Sequence, residues 1–463
     1  TCLPGPAGPV PVTIWWPAAG RANSWVIHAP AFGEEMNKSR HLVAATARRL
    51  AAGGHVVLVP DLRGTGESAA GLASAPLQTW VDEISHIVAH ARAAGARDVT
   101  LWGLRLGCLV AAKAAAQTSP PPARLLLWQP VHKGAQQMGQ FLRLLTAAEV
   151  TGTDRGTPRA ADARAALDAG DTVEIAGYPL SGPLHGAICA AELAAVSLPR
   201  GTQVVLFEVV ASPERPLTAV SQRQLELWQQ QESVCEGSAV PGDPFWSTQE
   251  LGAAPALIDA TEQFFADSAV PKPIAPADLP VADHDDSALE ALSRTVGAGI
   301  TFDCATSTLA GRLHRPMHPQ AVGVVIVVGG PQYRVGSHRQ FLYLARAAAE
   351  AGYATLRFDY RGLGDSAGEL KGFADVGPDI RSAIDALQAH EPAVRRVVLW
   401  GLCDAATAAA VYAPTDERVA GLVLANPWVY SVEGAAKVRL KRYYVQRLSS
   451  RDFWKKLGSG GVS

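Results

Sequence analysis

Two tandem α/β units built on mostly parallel sheets, the second lacking its C-terminal part, are the architecture this sequence predicts, and three observations predict it. Short apolar strand-forming runs alternate with helix-length amphipathic stretches, the signature of a parallel sheet covered on both faces. Twice, a run of β-formers breaks at a glycine into an alanine-rich helix, at Leu101-Trp102-Gly103-Leu104-Arg105 and at Leu399-Trp400-Gly401-Leu402-Cys403. A single offset of 298 residues relates Asp61 to Asp359, Arg63 to Arg361 and Gly103 to Gly401, so the two halves repeat one pattern.

In the first half, a hairpin near Val10–Trp16 precedes a buried strand, Trp25–Pro30. A helix over Ser39–Ala52 stops at Gly53-Gly54, as a C-terminal glycine dictates. The strand His55–Pro60 runs into the glycine-rich turn Asp61–Ser68, followed by a helix over Leu77–Ala94, the strand Val99–Trp102 and the strand Leu125–Trp128. The pattern loosens over Val131–Leu198, which reads as a cap laid over the sheet edge. A strand at Gln203–Val210 and a helix near Ala256–Ala266 complete a first domain of residues 1–268, with its cap at about 131–198. Four prolines between Ala269 and His284 mark a linker over 269–290. The second domain spans 291–463. Past the matching Pro130 and Pro427, the first copy runs 135 residues to Phe265 and the second runs 36 to Ser463. The second copy is therefore expected to lack its final strands.

Composition excludes several classes. Of 463 residues 48% are hydrophobic and 18% charged, which argues for large buried cores. A net charge of −2 gives nucleic acid no electrostatic footing. The six cysteines form no CxxC pair, so neither a metal site nor a disulfide framework is expected. Asp61–Ser68 and Asp359–Ser366 lack the lysine of a P-loop and the spacing of a dinucleotide fingerprint, so no cofactor is expected either. No apolar run reaches the ~20 residues of a membrane span and no signal peptide opens the chain, which makes the cytoplasm the expected compartment.

The two sharp turns carry the chemistry. A strand that bends abruptly into a helix around glycine-x-nucleophile pushes one side chain out at the carboxyl edge of the sheet. In the second half that side chain is Cys403, a candidate nucleophile; the alternative is a small buried hydrophobe. The backbone N–H of Asp404, at the helix start, is the expected first oxyanion donor, and the loop Gly329-Gly330-Pro331-Gln332 offers the second from Gly330 or Gln332. No histidine stands where a triad histidine follows the last strand. His338 is a candidate base, weighed against a satisfied loop histidine. In the first half the same position holds Arg105, which stays protonated and cannot attack a carbonyl. Arg105 is read either as a binding site for a carboxylate or phosphate or as the partner of Glu34 or Glu208.

With those residues set out, the chain resembles two hydrolases of the exosortase A system joined end to end. Phe32–Arg40, Gly103–Gly107 and Trp128–Val131 resemble the type-two family. Gly329–His338, Phe358–Gly362, Trp400–Ala405 and Asn426–Trp428 are similar to the type-one family, whose C-terminal third is missing. The resemblance implies an α/β-hydrolase fold and an association with exopolysaccharide and exosortase gene clusters. The expected function is thus a hydrolase or acyltransferase that acts on an ester or thioester through Cys403, with a small-molecule or glycan-linked acyl group as substrate. The competing reading is a non-catalytic binding or scaffolding protein, motivated by Arg105 and the incomplete triad. The basic, aromatic stretch 437–456 is read as a peripheral contact with the inner face of the membrane, against a cap helix with a solvated face.

Overall fold

The computed structural model describes residues 1–18, 20, 22, 24–151, 159–267, 297–330 and 332–428. The expected linker 269–290 and the basic stretch 437–456 lie outside the described residues.

The first unit contains β1 (Cys2–Leu3), β2 (Val10–Trp15), β3 (Ser24–Ala29), α1 (Glu34–Ala52), β4 (His55–Pro60), α2 (Leu77–Ala93), β5 (Val99–Leu104), α3 (Leu106–Gln117) and β6 (Arg124–Trp128). Its cap follows as α4 (Gly134–Thr151), α5 (Ala160–Asp168), the hairpin β7 (Thr172–Ile175) and β8 (Tyr178–Ser181), and α6 (Gly182–Cys189). β9 (Gln203–Val210), α7 (Ala219–Gln230), β10 (Val234–Pro241) and α8 (Pro255–Asp267) complete the unit. The sheet order is β1-β2-β4-β3-β5-β6-β9-β10, parallel from β4 to β10 and antiparallel at β1 and β2. Every residue of β3, β4, β5 and β6 is buried, the continuous apolar reading of strands packed on both faces.

The second unit repeats this with β11 (Ala298–Cys304), β12 (Ser307–His314), β13 (Val322–Val327), α9 (Gln340–Glu350), β14 (Thr355–Phe358), α10 (Gly377–His390), β15 (Arg396–Leu402), α11 (Asp404–Tyr412) and β16 (Val419–Ala425). Its sheet order, β11-β12-β14-β13-β15-β16, matches the first unit up to β6 and stops there among the described residues.

Two expectations shift. The helix expected from Ser39 begins at Glu34, because Gly33, at φ 61°, turns the chain and two glutamates favour the positive end of the helix. β10 escaped the sequence because it is a mostly exposed edge strand without an apolar run.

The two units pack against each other at one of the first unit's two buried clusters. Tyr333 and Val335 of the second unit, both fully buried, pack with Val26, Trp102 and Phe245 of the first. Beside them the turns 61–68 and 359–366 meet through a buried ion cluster. Glu67 accepts from Arg334 Nε at 2.9 Å and Arg357 Nη2 at 2.8 Å. Asp365, the residue at the equivalent position, accepts from Arg40 Nε at 2.6 Å and Arg334 Nη1 at 2.9 Å. Each unit thus sends an arginine from the segment after its third inner strand, β3 or β13, to the acid of the other's turn, the reciprocity of an isologous contact. Burial by itself would raise the Glu67 carboxyl, but Arg357, Arg334 and Arg312 outweigh it and hold the group well below the ordinary carboxylate range. Arg339 completes the seam by donating to the carbonyl oxygens of Gly66, Ser68 and Ala70.

The pseudo-symmetry breaks at one anchor. In the second unit Asp379 accepts from both the Arg361 amide, at 2.9 Å, and its guanidinium, at 2.6 Å. In the first, Glu83 takes only the Arg63 amide at 2.8 Å, while the Arg63 guanidinium turns to the carbonyls of Ser74 and Ala7. Burial therefore pushes Glu83 up to about 7. Raised above its unfolded value, this carboxyl contributes no penalty below about pH 4.5 and costs stability as pH climbs towards 7, up to ~3 kcal/mol. Glu83→Gln should therefore gain stability over the parent with rising pH in urea titrations between pH 4.5 and 8, and a pH-independent difference would contradict this account.

Candidate active site

The two elbows are superposable in conformation and different in chemistry. Cys403 sits at φ 54°, ψ −119° and Arg105 at φ 55°, ψ −119°, each as the N-cap of the helix that follows. An L-residue rarely adopts this conformation, so both turns store strain of the kind that presents a side chain rather than packs it. The glycine two residues earlier is obligatory: a Cβ on Gly401 would lie 2.6 Å from the Ala405 carbonyl oxygen, and one on Gly103 would lie 2.5 Å from Cys108 Cα. The same bonds pin both turns. Cys403 N–H donates to Ala425 O at 3.0 Å and Arg105 N–H to Trp128 O at 3.0 Å. The Cys403 carbonyl accepts from Trp428 N–H at 3.2 Å, that of Arg105 from Val131 N–H at 3.3 Å. The sites therefore lie at the carboxyl ends of β5 and β15, beside the point where strand order reverses in each sheet.

Cys403 is exposed, and all six cysteines are free thiols. Its sulfur lies 3.8 Å from the Asn426 Nδ2 donor. Asn426 is held at φ 47°, matching Gln129 at φ 46° in the first unit. Its role was not read from the sequence, although it directly precedes Pro427 just as Gln129 precedes Pro130.

Asp404 opens α11, where the first amides lack partners within the helix. Its carboxylate reaches back across the site and accepts the Gly330 N–H at 3.2 Å. That bond engages the Gly330 amide, while the φ of 67° at Gly330 bends the loop after β13. Gln332 sits in the same loop, and its side-chain carbonyl accepts the Ser337 amide at 3.1 Å.

His338 is engaged by the first unit. Its ring packs over the cap hairpin of the first unit, so close that a Cβ on Gly177 would come within 2.5 Å of the imidazole. Its amide donates to the Tyr178 hydroxyl at 3.2 Å, and the two rings stand edge to face at 6.2 Å. Tyr178 in turn donates to Glu34 at 2.6 Å, and Glu34 also accepts from Ser337 at 3.0 Å.

Arg105 is engaged internally, by a partner the sequence did not single out. It donates through Nε and Nη2 to Glu35 at 3.2 and 3.0 Å and to Gln137 Oε1 at 3.1 Å, and its guanidinium lies 5.4 Å from the Trp246 ring centre. Neither expected partner is available. Glu34 is taken by Tyr178 and Ser337, and Glu208 by Thr218 and Ser221 at 2.7 and 2.5 Å. Among the described residues no group of three or more His, Cys, Asp or Glu is arranged to hold a metal, and no helix is long and apolar enough to cross a membrane.

A family model described as serine aminopeptidase, S33, matches residues 22–160 and again 319–452. No curated protein matches the chain. Among solved structures, the chain is similar to Est1E from Butyrivibrio proteoclasticus with ferulic acid bound, at 16% identity and a TM-score of 0.41, over 58% of this chain and 98% of that one. A thermophilic esterase from Thermogutta terrifontis with malate bound is similar at 15% identity and a TM-score of 0.36, over 58% and 96%. The α/β hydrolase GrgF from Penicillium sp. sh18 is similar at 17% identity and a TM-score of 0.34, over 52% and 89%.

Proposed function

The chain belongs to the serine aminopeptidase S33 family of α/β hydrolases, represented twice along its length, and from that premise we propose a hydrolase of ester or thioester bonds whose nucleophile is Cys403. The observation that carries the reading is the exposed thiol on a strained elbow, in a family named for a serine that neither elbow here possesses. In this mechanism Cys403 Sγ attacks the acyl carbonyl; the S–C bond forms as the C–O or C–S bond breaks, and the leaving alcohol or thiol departs with the thiol's proton. Water then cleaves the acyl-cysteine, releasing the acid and restoring the thiol. The amides of Asp404 and Gln332 hold the oxyanion, with Gly330 shaping the loop while its own N–H is engaged by the Asp404 carboxylate. Asn426 is the polar neighbour of the sulfur.

The first unit serves this site as a folded partner rather than a second catalyst, since Arg105 occupies the attacking position and is bound to Glu35 and Gln137. The resemblance to hydrolases of the exosortase A system supports a small-molecule or glycan-linked acyl group as the substrate. Steady-state hydrolysis of short-chain p-nitrophenyl esters and thioesters tests the proposal: turnover lost in Cys403→Ala supports it, and turnover equal in the two proteins sinks it.

A further inference from the structure

The loop that bonds to the start of α11 through Gly330 is gripped further along by the other unit. Between β13 and α9, every residue from Tyr333 to Arg339 meets the first unit. Tyr333 and Val335 enter its buried cluster, and the Tyr333 hydroxyl donates to Asp61 at 3.3 Å. Arg334 reaches Glu67 at 2.9 Å. The Gly336 carbonyl accepts from Asn37 Nδ2 at 3.1 Å, Ser337 Oγ donates to Glu34 at 3.0 Å, and the His338 amide donates to the Tyr178 hydroxyl at 3.2 Å. Arg339 closes the series on the carbonyl oxygens of Gly66, Ser68 and Ala70.

The backbone held this way is strained. Gly336, His338 and Arg339 have φ of 74°, 39° and 68°. Left-handed backbone at the two residues that carry a Cβ is unfavourable, so contacts from outside the segment must keep it. At the 298-residue offset the same positions open α1, which is regular helix from Glu34, whereas α9 starts only at Gln340. What is helix in one unit is unwound in the other, on the surface of its neighbour.

Glu34 is the hub of the grip. Its Oε2 accepts from Ser337, from Tyr178 at 2.6 Å and from Asn37 at 3.1 Å, so one carboxylate ties α1, the cap hairpin and the loop together. Ser337 carries the constraint onward, since its amide donates to Gln332 Oε1 at 3.1 Å. We infer that Glu34 of the first unit is a positioning residue for the second: it fixes the loop 330–339 and, through Ser337 and Gln332, the backbone that holds the oxyanion opposite Cys403. The catalytic part of this inference rests on the Cys403 reading above; the grip on the loop does not.

The test compares the whole chain with Glu34→Ala and with Glu34→Gln, which keeps a side-chain acceptor. Hydrogen exchange over residues 333–339 should quicken at least ~10-fold in Glu34→Ala, with β15 and α11 unchanged as the check on folding. For p-nitrophenyl ester hydrolysis kcat should fall at least ~10-fold with KM within about two-fold, the mark of lost alignment rather than lost binding. Glu34→Gln should recover most of both. Unchanged exchange in the loop overturns the proposal, and so does quickened exchange with kcat unaltered or a loss that Glu34→Gln does not rescue. Turnover that persists in Cys403→Ala sinks the nucleophile alone, because the exchange comparison needs no turnover and still decides whether Glu34 holds the loop.

Discussion

Replacing Glu67 by glutamine is expected to cost ~3–5 kcal/mol and to lower the midpoint of the whole molecule in a single step. Glu67 is 0% exposed and takes hydrogen bonds from Arg334 and Arg357, themselves almost or fully buried. A neutral amide of the same shape keeps the packing but removes the negative charge that faces the buried guanidinium groups of Arg334 and Arg357, the costly way to break an interior pair. The loss is not confined to one unit, because Arg334 also bridges Asp359 and Asp365 at 2.6 and 2.9 Å while Arg40 ties Asp365 to Asp61. The Glu67 contribution is fully present above about pH 4.5 and fades as pH falls through the depressed folded-state value. Urea unfolding followed by tryptophan fluorescence and by far-ultraviolet circular dichroism checks both points. Two coincident, shifted transitions fit units joined through this cluster; a shift confined to one of two separate transitions does not. An exposed pair such as Lys371–Glu369 should by contrast leave the unfolding midpoint nearly unchanged when broken.

Cys403→Ala is expected to lower kcat/KM towards simple esters by at least ~10³-fold, with stability nearly unchanged. The side chain is exposed at an elbow whose conformation is fixed by backbone bonds to Ala425 and Trp428, so removing sulfur takes away chemistry without opening a cavity. Alanine at this φ is no worse placed than cysteine, since both carry a Cβ. Cys235→Ala, on the far edge strand of the first unit, is the thiol control and should leave the rate within a few-fold.

Most of what positions the site was legible in the sequence. Glycine two residues before Cys403 and Arg105, after a run of β-formers, admits few conformations, and the 298-residue offset carried the fold of one half onto the other. The seam between the units was not legible. Asp61, Glu67, Asp359 and Asp365 lie in polar glycine-rich turns, which ordinarily face water, and the arginines that bury them stand up to 325 residues away. Arg105 shows the same limit at short range: an acid partner was foreseeable, but choosing Glu35 over Glu34 depends on where α1 begins, and Gly33 moves that start a turn earlier than periodicity indicated. His338 read as a loop histidine near the oxyanion turn; its ring is drawn to the cap of the other unit by Gly177, a contact across 161 positions that no local pattern records.

Intact-mass and peptide-mapping spectrometry after incubation with a slowly hydrolysed p-nitrophenyl ester addresses the nucleophile most directly. One acyl group on Cys403, absent from Cys403→Ala and discharged by hydroxylamine, is the predicted result; an unmodified Cys403 in a protein that still turns the ester over would contradict it.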